Sequence, residues 1–363
     1  MIREYTWLSV SPVDGHVIAE IPSVQCSTLE IRMMEGTTAT ATIPWQDIKN
    51  VSNWENATKP FAACLLLIDS SMPAQPLWGG IILSRTRELG NATLSIKLGT
   101  WEHLLNKYPV GDDNYTNTDQ NKIITGLVTK WAITGKRNSL TIDAQTSKIK
   151  RDDTDHKASD NKSVLSCIQA LAGVINGPEW YINWQKSRQN YQPVLHVADH
   201  IGSVNSMFTF GAESLTEFTI NEAWEEGYGA NTVQAYSSAT NTDDGAEQPQ
   251  SDWYTYDDQT RPLLPYRYQP STSITNKSTL NQHAQAKLQA LQDGTNTITV
   301  SFSLTLMPRL GIDWNLGDTI SWNLETAKNQ LTDYTTGTTR FIGYTIDLQN
   351  NTFKPYLQNE GEI

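Results

Sequence analysis

Of the six histidines in this 363-residue chain, only two lie close together, in His196-Val197-Ala198-Asp199-His200. On a helix, a four-residue spacing would set both rings on one face as metal ligands. The flanking Val194-Leu195-His196-Val197 reads as a strand, however, the glutamate of a zinc-protease motif is missing, and no third ligand stands nearby. The plainer reading is a strand end and a turn. Acid doublets are the next candidates: Asp112-Asp113, Asp152-Asp153, Glu225-Glu226, Asp243-Asp244 and Asp257-Asp258. Glycoside hydrolysis needs two carboxylates facing each other across a cleft, whereas neighbours on a strand point to opposite faces. All five doublets sit in polar stretches that read as solvated loops. Asp152-Asp153-Thr154-Asp155 offers oxygens for calcium but lacks the glycine and closing glutamate of an EF-hand loop. Cys26, Cys64 and Cys167 are far apart, match no zinc or redox spacing, and have no local histidine partner. They read as buried free thiols of a protein made in a reducing cytoplasm. A Gly-x-Ser-x-Gly elbow, a phosphate loop and a dinucleotide glycine pattern are all missing. The residues therefore lead to the expectation that this is not an enzyme: no catalytic, cofactor-binding or metal-binding residue, and no cofactor.

Tryptophan is the remaining oddity, with 12 Trp against 7 Phe. Exposed indoles could stack on sugars. Trp78, Trp101, Trp131, Trp180 and Trp184 fall in phase with apolar neighbours, which favours core packing over a binding platform. Charge narrows the partners further. The balance of 27 Lys and Arg against 39 Asp and Glu gives −12, and gripping phosphate backbones depends on clustered cations. Sequence-specific nucleic-acid binding is not expected. Membrane insertion is not expected either: the apolar run Ala62–Ile68 falls far short of the roughly 20 residues that span a bilayer, and the N-terminus carries an early acid and no signal-peptide core.

The elements that must position these residues fall into three parts. Residues 1–103 read as mostly β. Ile18, Glu20 and Leu29–Met33 alternate, Ala63–Ile68 fits a strand buried on both faces, and Leu77–Leu83 pairs through Gly90-Asn91 with Thr93–Leu98. No helix of convincing length appears here. Residues 104–205 read as a small α/β module. One helix spans Gln120–Ala132, with Asp119 as its cap. A second spans about Lys162 to Ile175, capped by Asp160 or Asn161 and ended by Asn176-Gly177-Pro178. A strand pair follows at Trp180–Trp184 and Val194–Val197. Residues 206–363 return to strands at Met207–Phe210, Leu215–Ile220, Asn231–Tyr236 and Ile298–Leu306, with a polar loop from Ser237 to Pro270 and a helix over Ser278–Gln292. Trp78-Gly79-Gly80-Ile81 and Phe341-Ile342-Gly343-Tyr344 open two hairpins that turn at an Asn and return through Thr93–Leu98 and Thr352–Leu357. The similarity suggests two related β-domains around an α/β insertion, although chance alone can make two hairpins look alike.

Taken in order along the chain, several stretches resemble the siphophage tail-hub proteins, also called baseplate-hub, tail-associated or minor tail proteins. They are Leu77–Ile81, Leu94–Leu105, Val164–Ala172 followed by Gly177-Pro178-Glu179-Trp180, Ile201-Gly202-Ser203, Leu316–Trp322 and the final Phe341–Leu357 hairpin. No single stretch is specific, and their order carries the resemblance. It implies an α+β, mainly β fold with two tube-like β-barrel domains (1–103 and 206–363, the latter with a polar loop and helix insertion at about 237–292) flanking the smaller 104–205 module. It also implies a structural virion protein at the tail tip. There a homotrimeric ring would join a six-fold tail tube to three-fold tip or receptor-binding proteins and line the DNA exit channel. The implied partners are further copies of the chain, the distal tail or tail tube protein, the tape measure protein, and downstream tip or fibre proteins. The alternatives are a carbohydrate-binding β-protein of a phage or bacterial surface and, after it, a glycosidase.

Overall fold

The computed structural model describes residues 4–26, 28–174, 176–225, 227–238, 248–270, 274, 276–324 and 336–358. Among the described residues the protein is mainly β, with 44% in strands and 17% in helices, and its sheets curl, one of them into a half-barrel. Two compact units are formed, one from Met1–Thr216 with Ser301–Tyr356 and one from Glu217–Val300 with Leu357–Ile363.

The first unit holds a seven-stranded sheet ordered Val17–Glu20, Tyr5–Val10, Cys64–Asp69, Trp78–Glu88, Thr93–Gly99, Thr38–Pro44, Gln25–Cys26. Cys64–Asp69 lies at its centre with all six residues buried, which is why that stretch is apolar without alternation. Thr38–Pro44 was not apparent from sequence: its inward residues begin with Ala39 and Ala41, too small to give a strong hydrophobic period. Trp78-Gly79-Gly80 starts a strand whose glycines make room for rings. A side-chain carbon on Gly79 would lie 2.4 Å from the Trp184 indole, and one on Gly80 2.4 Å from that of Trp78.

A second sheet runs Phe208–Gly211, Thr319–Asn323, Thr336–Asp347, Thr352–Leu357, Thr295–Ser303, Leu215–Ala223. Leu29–Arg32, from the N-terminal part of the chain, also pairs with Thr336–Asp347, setting Arg32 opposite Gly343 and Leu29 opposite Ile346. Trp314 is fully buried; its indole stacks on Phe341 at 4.2 Å and meets Phe208, Phe302 and Phe353 within 6.2 Å. The long alternating strand expected over Ile298–Leu306 runs Thr295–Ser303 instead. Leu304 and Met307 are buried in the turn that follows, and Leu306 faces out.

The central part of the first unit places Thr141–Ala144, Asn190–Ala198 and Glu179–Ser187 in a three-stranded sheet, with Asp113–Asp119 and Lys150–His156 as a separate ribbon. Helix Gln120–Leu127 is capped by the Asp119 carboxylate, which accepts from the amides of Asn121 and Lys122. Helix Val164–Ala172 is capped by Ser163 rather than by Asp160 or Asn161; Asn161 instead closes a preceding turn in the left-handed conformation. Ile175, the last residue expected in that helix, lies outside the described residues. Both helices share one core with Cys64, Leu66, Ile81 and Trp101. In the second unit, the strands Thr232–Ala235, Tyr254–Thr255 and Pro265–Tyr268 form a small sheet. Helix Lys277–Leu291 covers it through Leu280, Ala284 and Leu291. The polar stretch expected as a loop from 237 to 270 thus contains two short strands.

One polar junction fastens the first unit. Arg340 donates to both oxygens of Glu179 at 2.7 and 2.5 Å, to the Ile201 carbonyl at 2.7 Å and to the Gly317 carbonyl at 2.9 Å. The Ile201 amide returns a bond to Glu179 at 2.7 Å. Gly202 and Gly317 have φ of +85° and +87°, and a side-chain carbon on either would sit 2.2 Å from the other turn's backbone. Asp318 then accepts from the Ser203 and Asn315 amides at 2.8 and 2.7 Å.

A second buried acid is less well served. Glu102 is buried, one of its carboxylate oxygens has no hydrogen-bond partner, and burial pushes its carboxyl up to about 7 against the Thr100 hydroxyl.

Two outcomes are expected. Replacing Arg340 with Ala leaves two carbonyls unpaired and strips the Glu179 carboxylate of its guanidinium, leaving it the Ile201 amide, and costs about 3–5 kcal/mol in denaturant titration. Arg340→Lys does not restore it, because an ammonium cannot form the same fork; full rescue by Lys would show that charge alone matters. For Glu102 the folded-state pKa is raised, so its stability contribution is complete below about 4.5 and is lost as pH rises through about 7. Glu102→Gln removes that loss and gains about 3 kcal/mol on the wild type at alkaline pH, little at acid pH. Parallel stability curves of the two proteins across this range would refute the assignment.

Candidate functional site

In the doublets Asp112-Asp113, Asp152-Asp153 and Asp257-Asp258 each carboxylate has a local hydrogen-bond partner. Asp112 accepts from the Ala158 amide at 2.9 Å. Asp113 accepts from the Trp131 indole at 3.0 Å and Tyr115 at 3.1 Å, with Lys130 at 3.1 Å. Burial alone would raise the Asp113 carboxyl, and these three donors outweigh it and hold it low. Asp258 caps a turn through the amides of Thr260 and Arg261, which brings its carboxyl down to about 2. Asp257 accepts from the Gln259 amide. Asp243, Asp244 and Glu226 lie outside the described residues. The loop expectation fails at two places: Asp113 opens a strand and Asp152-Asp153 lies within the strand that pairs with it. Strands so rich in acid carry no apolar period, so the pattern gave no sign of them.

His196 and His200 have different partners. His196 lies on Asn190–Ala198, 3.1 Å from Asp143 and 3.0 Å from Asn183, with its ring stacked on Tyr181 at 4.7 Å. His200 stands beyond the strand, 3.7 Å from Glu179. Burial lowers the His196 proton affinity despite Asp143. Among the described residues no group of three His, Cys, Asp or Glu side chains is gathered to hold a metal ion.

All three cysteines are free and buried. One of them has a histidine beside it that sequence distance concealed. A cleft of about 570 Å³ opens between the Lys150–His156 strand and helix Val164–Ala172, bordered by Asp153, His156 and Cys167 among others. Asp153 bonds the His156 Nε2 at 2.8 Å. That hydrogen bond, with the adjacent Cys167 second, lifts the imidazole to about 10 in spite of burial. Its Nδ1 is buried and has no hydrogen-bond partner. The eleven-residue separation hid the pair: Cys167 reads as one more apolar position of the helix, and His156 as the end of a charged stretch.

Of the tryptophans singled out, Trp78, Trp101, Trp180 and Trp184 are buried in the core and Trp131 is half-buried beneath Lys130. Their faces are therefore not platforms for sugars. Apolar groups that do face outward include Leu89 at the tip of the first hairpin (96% exposed), and Val204, Met207, Leu306 and Ile312 in turns of the second sheet's neighbourhood.

No known protein-family profile matches the chain, and no curated protein matches it in sequence. Solved structures do match in fold. The 43 kDa tail protein of prophage MuSo2 from Shewanella oneidensis superposes with a TM-score of 0.55 at 8% identity, covering 97% of this chain and 98% of that one. The tail protein from Neisseria meningitidis MC58 gives 0.56 at 11% identity, covering 98% and 97%. Prophage tail protein gp18 from Listeria monocytogenes EGD-e gives 0.51 at 10%, covering 98% and 95%. From end to end, the chain has the fold of these phage and prophage tail proteins.

Proposed function

We propose that this chain is a structural virion protein, the central hub of a long-tailed phage's tail tip. The observation that carries this reading is the end-to-end agreement in fold with tail proteins, covering 97–98% of this chain. Residues 1–103 and 206–363 would supply two tube-like barrels, with 104–205 between them. The hairpins Trp78–Gly99 and Thr336–Leu357 support the pairing: each has a long first arm of 11 or 12 residues and a shorter return of 7 or 6. Two similar barrels per chain let three chains present six near-equivalent positions to a hexameric tube, which is how a six-fold structure can meet a three-fold one. A ring of this kind needs heterologous contacts that close after a whole number of copies. The ring would contact the distal tail or tail tube protein, the tape measure protein and the downstream tip or fibre proteins. Its work would lie in interfaces, without catalysis.

A chain of net charge −12 also suits a channel for DNA, because a basic lining would bind phosphates and retard passage. The expected result of imaging the assembled particle is three copies of this protein in one ring at the tail tip, with an inner face that is not basic. Six copies in true six-fold order, or a lumen dominated by Lys and Arg, would refute the reading.

A further inference from the structure

We propose that Cys167 is the reactive thiol of this chain, a modification site that exchanges with small anionic disulfides in the cleft beside helix Val164–Ala172. Three observations meet there. The thiol borders a cleft of about 570 Å³, large enough for a small organic group. Beside it stands a histidine 8% exposed, anchored to Asp153 through Nε2, whose Nδ1 has no hydrogen-bond partner. The same cleft is bordered by Lys150, Arg151 and Lys162, a local concentration of positive charge in an acidic chain. The two carboxylates that border the cleft are already turned to neighbours, Asp152 accepting from the Asn117 amide at 2.7 Å and Asp153 holding His156, while Asp160 lies 3.8 Å from Lys162.

Cys26 and Cys64 provide internal controls. Both are buried, and burial pushes their thiols up, to about 11 at Cys26 and further at Cys64. Beside Cys167 stands the His156 imidazole, anchored and kept charged by Asp153, so a sulfur attacking from there would meet a positive neighbour. The exchange balances without any further oxidant. The Cys167 thiolate attacks one sulfur of the disulfide and a new sulfur–sulfur bond forms. The old bond breaks, and the departing sulfur leaves with the electron pair as a thiolate, the proton of the Cys167 thiol having gone to solvent. Electrostatic attraction to the lysines and Arg151 would favour reagents that carry negative charge.

The test uses the full-length reduced protein with an anionic aromatic disulfide, dithiobis(nitrobenzoate), and a neutral one, dithiodipyridine, at neutral pH, followed by peptide mapping. One thiol of the three should react in the native protein, map to Cys167, and react at least about tenfold faster than the others. His156→Gln should slow it by a similar factor. The exposed rim change Lys150→Gln with Lys162→Gln should slow the anionic reagent alone, and added salt should do the same. If His156→Gln unfolds the chain, all three thiols will react together, and the rim variant and salt series then decide. Labelling at Cys26 or Cys64 at equal rates, no native labelling at all, or equal salt response for both reagents would overturn the proposal.

Discussion

The first unit depends on satisfying one guanidinium. Arg340 has a carboxylate and two backbone carbonyls as partners, drawn from Glu179, Ile201 and Gly317, so segments separated by more than a hundred residues must arrive together. A guanidinium offers donors in a fixed planar fork and cannot shed its charge. Half-formed, such a junction would leave a charge and two carbonyls short of partners in a poorly solvated place, at a cost that exceeds the gain from any one contact. That asymmetry makes the junction behave as all or none. It also explains the two left-handed glycines: the turns of Gly202 and Gly317 interlock so closely that neither has room for a side chain.

Packing then follows from where the junction fixes the strands. With Arg340 held, Phe341 is set over Trp314, and the same strand pairs with Leu29–Arg32 through Gly343 to Ile346. The sheet near the C-terminus thus incorporates a strand from near the N-terminus. Sequence position is therefore a poor guide to which residues share the core, and one cluster of buried side chains takes members from Val10 to Val197. Contacts of such separation carry a loop-closure cost that is offset when many of them form together.

What the sequence made legible was whatever hydrophobic period could express. Cys64–Asp69, the Trp78–Gly99 hairpin, the strand pair Glu179–Ser187 with Asn190–Ala198, and the Asp119 cap all carry strong local signals, and the structure has them. The Thr38–Pro44 strand was hidden because alanine barely differs from threonine in hydropathy contrast. The Asp113–Asp119 and Lys150–His156 ribbon was hidden because its hydrogen bonds and ion pairs do the work that apolar side chains do elsewhere. The pairing of His156 with Cys167 was illegible for a related reason: it depends on how that ribbon lies against a helix, a tertiary fact with no local imprint. The Ile201-Gly202-Ser203 and Leu316-Gly317-Asp318 stretches were noticed as patterns, but nothing in either indicated that they lock into each other.

These features explain how a fold can be shared at 8–11% identity. The sheets ask only for alternation and approximate volume, which many side-chain sets provide. Half of Arg340's hydrogen bonds at the junction go to backbone carbonyls, and its turns require glycine conformations. Surface composition is then left to vary, and here it is carried largely by uncharged polar residues, with only 18% of the chain charged. Against that background Lys150, Arg151, Lys162 and His156 gather around one thiol, and the Asp153–His156 bond that ties the ribbon also sets the imidazole beside it.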